Sequence, residues 1–219
     1  MIGKGKSISH GVAALEYDLA KEIDGQAAAT EIARHELYGC TGAEMVQEMK
    51  PYFTDFPNVK NNCLRFEVSP SIEESSSFTD TDWAELGNDF MQRMGLMNHQ
   101  YIIIKHSGTE SKKKQAHLHI LANRISLSGE LYRDNWIGKR ATEAANAIAK
   151  ERDFVQSQDI GKANKAEIKE AMNEVLKKLQ GFDLAKFQEE LGKLGFKVRE
   201  AGASTGKLNG YYVTARSGT

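Results

Sequence analysis

Two short runs dense in β-branched and aliphatic residues, Gln100 to His106 and His117 to Ile125, stand close together with a polar, lysine-rich stretch between them. Branched side chains pack well on a pleated surface, and the nearness of the runs favours an antiparallel hairpin. A sheet built around that hairpin needs covering helices, and the chain supplies candidates. Trp83, Leu86, Phe90 and Met94 fall on one helical face, with Thr79 or Thr81 as its cap and Gly95 placed to end it. A second helix is expected over about Asn135 to Arg152, with Ile137, Ala141, Ala144, Ala145 and Ile148 as a narrow apolar face suited to close packing. Near the start, Ser9 can cap a helix running to about Asp24, with Val12, Leu15, Leu19 and Ile23 as its stripe. Tyr17 lies off that stripe, on a face with His10, Ala13 and Ala20, which aims its hydroxyl toward a groove. On residue type alone, the commoner reading of such a tyrosine is a buried, hydrogen-bonded one. Residues 63 to 69 alternate as a half-buried strand, and Pro70 ends its pairing.

The tail reads differently. Gln156 to Asn164 resembles a linker; helices follow near Lys165 to Leu179 and Leu184 to Leu194, and strands over Phe196 to Arg199 and Leu208 to Thr214 close the chain. The expected division is therefore 1–152 for the main domain and 153–219 for linker plus a small α+β appendage. No uninterrupted apolar run reaches the roughly 18 residues of a membrane span, and the start is no signal region, so a soluble, cytoplasmic protein without membrane insertion is expected. Cys40 and Cys63 lack metal-type spacing and read as reduced residues.

The chemistry sits at His117 and His119. Alternation on a strand points both imidazoles the same way, while Leu118 and Ile120 face an opposite, helix-covered side. If the two strands pair antiparallel, His106 ends beside His117 and becomes a third ligand. Three neutral imidazoles suit Mn, Zn, Fe, Co or Ni better than Mg or Ca, and leave positions open for a phosphate oxygen. His35 and His99 lack this context; His10 reads as a solvent-facing histidine near a helix start.

At these residues the chain resembles a known family. Ser7-Ile8-Ser9-His10 followed by Ala13-Ala14-Leu15-Glu16-Tyr17 is similar to the N-terminal tyrosine motif of the relaxases that mobilise plasmids and transposons. Phe78-Thr79-Asp80-Thr81-Asp82-Trp83, then Gly95-Leu96-Met97-Asn98-His99-Gln100-Tyr101, then His117-Leu118-His119-Ile120-Leu121-Ala122-Asn123-Arg124 resemble the middle and third motifs, in order and spacing. The resemblance covers roughly residues 1 to 150 and places the chain among the HUH endonucleases. It implies an α+β fold with a central antiparallel sheet flanked by helices. It also implies nicking and joining of DNA at a transfer origin through a 5'-phosphotyrosine, with Tyr17 as nucleophile. His106, His117 and His119 would hold a divalent metal, Mn or Mg. Single-stranded DNA at the origin is the implied partner, with auxiliary mobilisation proteins and a coupling protein beside it.

One position departs from the family, which usually has an acid two residues after the first histidine; here His106-Ser107-Gly108 puts glycine there. Glu110, Glu73 or Glu74 is expected to supply the carboxylate, with Glu74 as the expected catalytic acid. Lys112, Lys113 and Lys114 are expected on the DNA backbone, giving affinity without sequence readout, and Asn123 and Arg124 at a phosphate or in a structural role. A net charge of -1 weighs against strong non-specific DNA binding, and neither half is a basic block: 16 Lys/Arg face 20 Asp/Glu up to residue 149, and 13 face 10 beyond it. The remaining positive charge is local, at Lys112 to Lys114, Lys139-Arg140, and Lys4 with Lys6. Two rival readings use the same residues: a phosphodiesterase whose metal activates water, with Tyr17 structural, and a non-catalytic DNA-binding or replication-initiation module. The ending at Arg216 to Thr219 is abrupt, as expected if the chain continues in a longer protein.

Overall fold

Alternation along the strands decides which side chains each face of the central sheet receives, and that in turn decides where the site can lie. The computed structural model describes residues 1–23, 26–107, 115–179, 181, 183–202 and 208–215. In chain order its elements are β1 (Ile2–Ile8), α1 (Gly11–Leu19), β2 (Glu22–Ile23), β3 (Gln26–Ala27), β4 (Ala29–His35), α2 (Gly42–Phe53), β5 (Cys63–Ser69) and α3 (Ile72–Ser75). There follow α4 (Asp80–Met94), β6 (His99–His106), β7 (His117–Ser126), α5 (Ile137–Glu151), α6 (Ser157–Lys178), α7 (Leu184–Lys193), β8 (Phe196–Gly202) and β9 (Leu208–Ala215). They form two compact units, Met1–Ser157 and Gln158–Thr219. No helix among the described residues is long and apolar enough to cross a membrane.

In the first unit five strands pair in the order β1-β5-β7-β6-β4, every neighbour antiparallel. One face receives Leu64, Phe66, Val68, Ile103, Leu118, Ile120 and Ala122, which pack with Trp83, Leu86 and Phe90 of α4 and Ala141, Ala145 and Ile148 of α5. The other face receives Cys63, Ile102, Ile104 and Leu121, packed with Leu15 of α1 and Met45, Val46 and Met49 of α2. The histidine side is thus covered too, over the half of the sheet away from the histidines. α4 begins at Thr79, whose side chain accepts from the Asp82 N–H in a capping box, and stops at Gly95, whose φ of 71° only glycine adopts freely. α5 lies directly on the edge strand β1. A Cβ on Gly3 would stand 2.4 Å from the Ala141 carbonyl oxygen, which is why that strand carries glycine beneath the helix.

Several elements differ from the sequence expectation. Helix α1 stops at Leu19, Ile23 belongs to the short β2–β3 hairpin, and the buried helical face is Gly11, Ala14, Leu15 and Asp18, with Val12 exposed. Helix α6 starts at Ser157, so the stretch expected as a linker is helical; its polar residues are adequate helix formers, and Gly161 costs only about 1 kcal/mol. The first unit extends past the expected boundary at 152, because Phe154 packs on its core and the Val155 carbonyl accepts from the Met1 amine. In the second unit Ala171, Val175, Phe187, Leu191 and Phe196 form a small separate core, against which Val198 and Val213 of the β8–β9 hairpin pack.

Candidate metal centre and groove

His106 and His117 are direct partners across β6 and β7, and Ile104 partners His119, so all three imidazoles emerge on one face at one end of the sheet. One ligand nitrogen from each lies within 4.8 Å of the others. The Nε2 atoms of His117 and His119 are 3.1 Å apart, the spacing of two ligands about 2.1 Å from a shared ion with a bond angle of roughly 95°. Carbonyl oxygens orient two of the rings. His117 donates from Nδ1 to the Gln115 oxygen at 3.1 Å, which leaves its Nε2 lone pair facing His119. His106 donates from Nε2 to the Asp18 oxygen at 2.7 Å. A cation taking His106 through Nδ1 keeps that bond as support, and one taking Nε2 displaces it. Burial holds the His106 pKa down at about 4 against the raising effect of the Asp18 carbonyl, so the ring is neutral at physiological pH and ready to ligate. Three converging neutral nitrogens with open positions fit a divalent transition-metal ion.

Helix α1 lies over this face and brings two neighbouring residues with opposite fates. Successive helical residues are 100° apart, so when Asp18 turns inward Tyr17 turns out. Asp18 is 2% exposed and Tyr17 59%, with the Lys21 ammonium 5.5 Å from the Tyr17 ring centroid. The Asp18 carboxylate accepts from the Arg65 guanidinium at 2.5 Å and lies 3.9 Å from His119 Nδ1. Its pKa is pushed up to about 6 by burial, which the Arg65 charge partly offsets. Asp18 therefore touches the histidine cluster twice, through its main-chain carbonyl at His106 and its carboxylate near His119.

From His119 a groove of about 250 Å³ runs toward the sheet edge, lined by Lys4, Gly5, Lys6, Arg65, Phe66, Glu67 and His119. Strand register explains the lining: Lys4 sits opposite Glu67, which sits opposite His119, and Lys6 sits opposite Arg65. The Lys4 ammonium donates to Glu67 at 3.0 Å. Two ammonium groups and a guanidinium thus lie along a path that starts at the imidazoles.

The remaining expected site residues fall elsewhere. Glu74 does not reach the cluster: its carboxylate accepts from the Ser71 N–H in the capping box of α3 and from the Val155 N–H at 2.6 Å, 3.9 Å from the Met1 amine. Two other acids stand beside the histidines: Asp18 on α1, and Glu67, the direct cross-strand partner of His119. Asn123 is fully buried, its amide nitrogen donating to Gln100 Oε1 at 3.0 Å and its oxygen accepting from the Ile125 N–H, so it is a core residue and no DNA contact. Arg124 donates to the carbonyls of Tyr132 and Asn61, both at 3.1 Å, and to the Asp134 carboxylate at 2.6 Å, pinning the connection after β7. Lys112, Lys113, Lys114 and Glu110 lie outside the described residues. His99 is buried, donating to the Asn123 carbonyl, His35 stacks on Tyr101, and His10 is exposed at the start of α1. An apolar stripe at 12, 15, 19 and 23 leaves Asp18 off the buried face of α1, whereas the structure buries it with Gly11, Ala14 and Leu15. An acid three residues after Leu15, next to a candidate nucleophile, was the available signal.

Comparison with known proteins gives one family match. The model of the relaxase family described as MobA/VirD2-like, nuclease domain, matches residues 17–154. No curated protein matches the chain. Among solved structures, the conjugative relaxase TrwC in complex with oriT DNA is similar in a metal-bound form, at 11% identity and a TM-score of 0.39, covering 94% of this chain and 74% of that one. Its copper-bound form is similar at 12% identity and a TM-score of 0.36, covering 94% and 75%. At such scores the likeness fixes no strand-by-strand correspondence.

Proposed function

Because the chain belongs to the relaxase family, matching its MobA/VirD2-like nuclease domain, we propose that it nicks and rejoins one strand of DNA at a transfer origin, with Tyr17 as nucleophile. The observation that carries this reading is the convergence of His106, His117 and His119 beneath the helix that bears Tyr17. The Tyr17 oxygen attacks the scissile phosphorus, the bond from phosphorus to the 3'-oxygen breaks, and that oxygen leaves with a proton. The phenolic proton passes to solvent. The products are a 5'-phosphotyrosine and a free 3'-hydroxyl, and the retained ester energy allows rejoining without a nucleotide cofactor. A neutral phenol is a weak nucleophile; His106, His117 and His119 would hold a divalent ion, which would supply positive charge that withdraws electrons from the phosphate. The donor set favours manganese over magnesium.

Asp18 takes the place of the family's acid, from helix α1 instead of from the loop after His106. It holds the His106 ring through its carbonyl and sets a negative charge near the outer nitrogen of His119, while Arg65 keeps it in place. Lys4, Lys6 and Arg65 hold the phosphates of the single strand along the groove. Auxiliary mobilisation proteins and a coupling protein belong to the same reading, as the factors that open and deliver the duplex.

The test is incubation of wild type and Tyr17→Phe with labelled single-stranded DNA from the origin of its own element, with and without Mn²⁺, followed by denaturing electrophoresis. A metal-dependent, protein-linked band that the variant lacks is the expected result. Cleavage without an adduct, unchanged by the substitution, would replace this reading with a water-activating phosphodiesterase; absence of cleavage would leave a binding module.

A further inference from the structure

Trp136 is presented to solvent in a way that neither packing nor backbone preference explains. It is 81% exposed, whereas Trp83, the other tryptophan in the sequence, is 3% exposed in the core. It also holds a left-handed backbone, φ 55°, at the start of α5, an uncommon conformation for a bulky residue. The surroundings keep it there. Asp134 is tied to Arg124 at 2.6 Å, the Ile137 N–H donates to the Asp134 carbonyl, and the Tyr132 hydroxyl donates to the Met94 carbonyl at 2.8 Å. The turn that carries the ring is therefore anchored on both sides.

Its neighbours define a shallow cavity of about 300 Å³, lined by Asn135, Trp136, Lys139, Arg140 and Glu143. The Arg140 guanidinium is stacked 4.8 Å from the Tyr132 ring centroid, and the Lys139 side chain is 73% exposed, 3.8 Å from Glu143. An exposed indole beside two cations matches the chemistry of a nucleobase with its phosphate: the π-face takes the base and the cations take the charge.

The place in the fold connects this cavity to the cleavage groove. Gly5 lines that groove together with Lys4 and Lys6, and the first turn of α5 rests on the same glycine: a Cβ on Gly138 would stand 3.3 Å from the Gly5 carbonyl oxygen. Strand β1 is an edge of the sheet. A single strand leaving the imidazoles crosses β5 and β1, about 10 Å at ordinary strand spacing, and meets the Trp136 turn as it rounds that edge.

We propose that Trp136, Lys139 and Arg140 form a second DNA subsite, in which an unpaired base outside the cleavage groove stacks on the indole. The inference rests on the reading of the chain as a DNA nickase. Stacking accepts any base, so the subsite holds the strand without reading its sequence.

The test uses the full chain as wild type, Trp136→Phe and Trp136→Ala, with three probes: a 12-nucleotide oligothymidylate, an abasic strand of equal length, and a duplex. Oligothymidylate is expected to quench tryptophan emission in wild type and not in Trp136→Phe. Its affinity is expected to fall about tenfold in Trp136→Ala and less than threefold in Trp136→Phe, which keeps an aromatic face. Unchanged affinity in Trp136→Ala overturns the inference, as does equal quenching by the abasic strand or the duplex. Adduct formation by wild type is scored separately, on single-stranded DNA from the origin of its own element with Mn²⁺. An adduct with no effect of Trp136→Ala refutes the subsite alone, and the expected quenching and affinity loss without an adduct refutes the nickase reading alone.

Discussion

Replacing Gly3 with alanine tests whether α5 and β1 are as tightly joined as the geometry implies. The added Cβ would stand 2.4 Å from the Ala141 carbonyl oxygen and 2.6 Å from the Ala145 Cβ, against an ordinary contact of about 3.5 to 4 Å. Neither atom can rotate aside, since one is helix backbone and the other the only side-chain carbon of its residue. The helix must move outward by about 1 Å, as must the packing of Ala141, Ala145 and Ile148 on the sheet. Overpacking typically costs about 1 to 3 kcal/mol, and an immovable obstacle places this variant at the upper end, about 3 kcal/mol. For a unit of this size that corresponds to a fall in Tm of roughly 6 to 12 °C. Gly138→Ala is the matched control: its Cβ meets only the Gly5 carbonyl oxygen, at 3.3 Å, and alanine recovers up to about 1 kcal/mol of helix propensity, so it is expected to be near neutral. Urea unfolding followed by the emission of buried Trp83 reads both variants in the first unit. A Gly3→Ala protein as stable as Gly138→Ala would refute the reasoning.

Three further outcomes are expected. Asp18→Asn should weaken Mn²⁺ binding about tenfold or more by isothermal titration, the scale on which metal sites respond to lost outer support, and wild-type affinity in that variant would remove Asp18 from the metal centre. Burial lowers the His99 pKa, so the unfolded chain binds the proton more readily. The stability this ring contributes is complete above its unfolded value of about 6.5 and is lost as pH falls below it; the urea midpoint should drop more between pH 7.5 and 5.5 in wild type than in His99→Gln, and equal drops would contradict this. Burial pushes the Cys63 thiol up to about 12 while Cys40 is exposed, so a maleimide at pH 8 should label Cys40 in the native protein and both cysteines in urea, as counted by mass spectrometry; native labelling of Cys63 would show that strand β5 opens.

Local chemistry made much of the sheet and site legible. The β-branched runs at 100–106 and 117–125 are β6 and β7, the Thr79 cap and Gly95 stop bound α4, and the alanine stripe of α5 is buried residue for residue. Strand period alone set His117 and His119 on one face, and antiparallel pairing set His106 beside them. Strand β1 was not legible, because Gly3 and Gly5 are poor strand formers on their own and make sense only under a helix that follows them by more than 130 residues. For Asn123 the local pattern leaves a phosphate contact and a structural role both open; Gln100 from the neighbouring strand decides for the buried, structural one.

The sequence by itself determined what local rules govern: which segments extend or coil, where helices start and stop, and which side chains of a strand share a face. Tertiary structure alone decided the partners. Asp18 came to lie beside the histidine cluster because α1 was laid across the sheet with that residue inward, next to Arg65 and His119. That choice depends on which helical face the sheet and α2 bury, a sum over contacts from distant parts of the chain, and no periodicity within α1 encodes it.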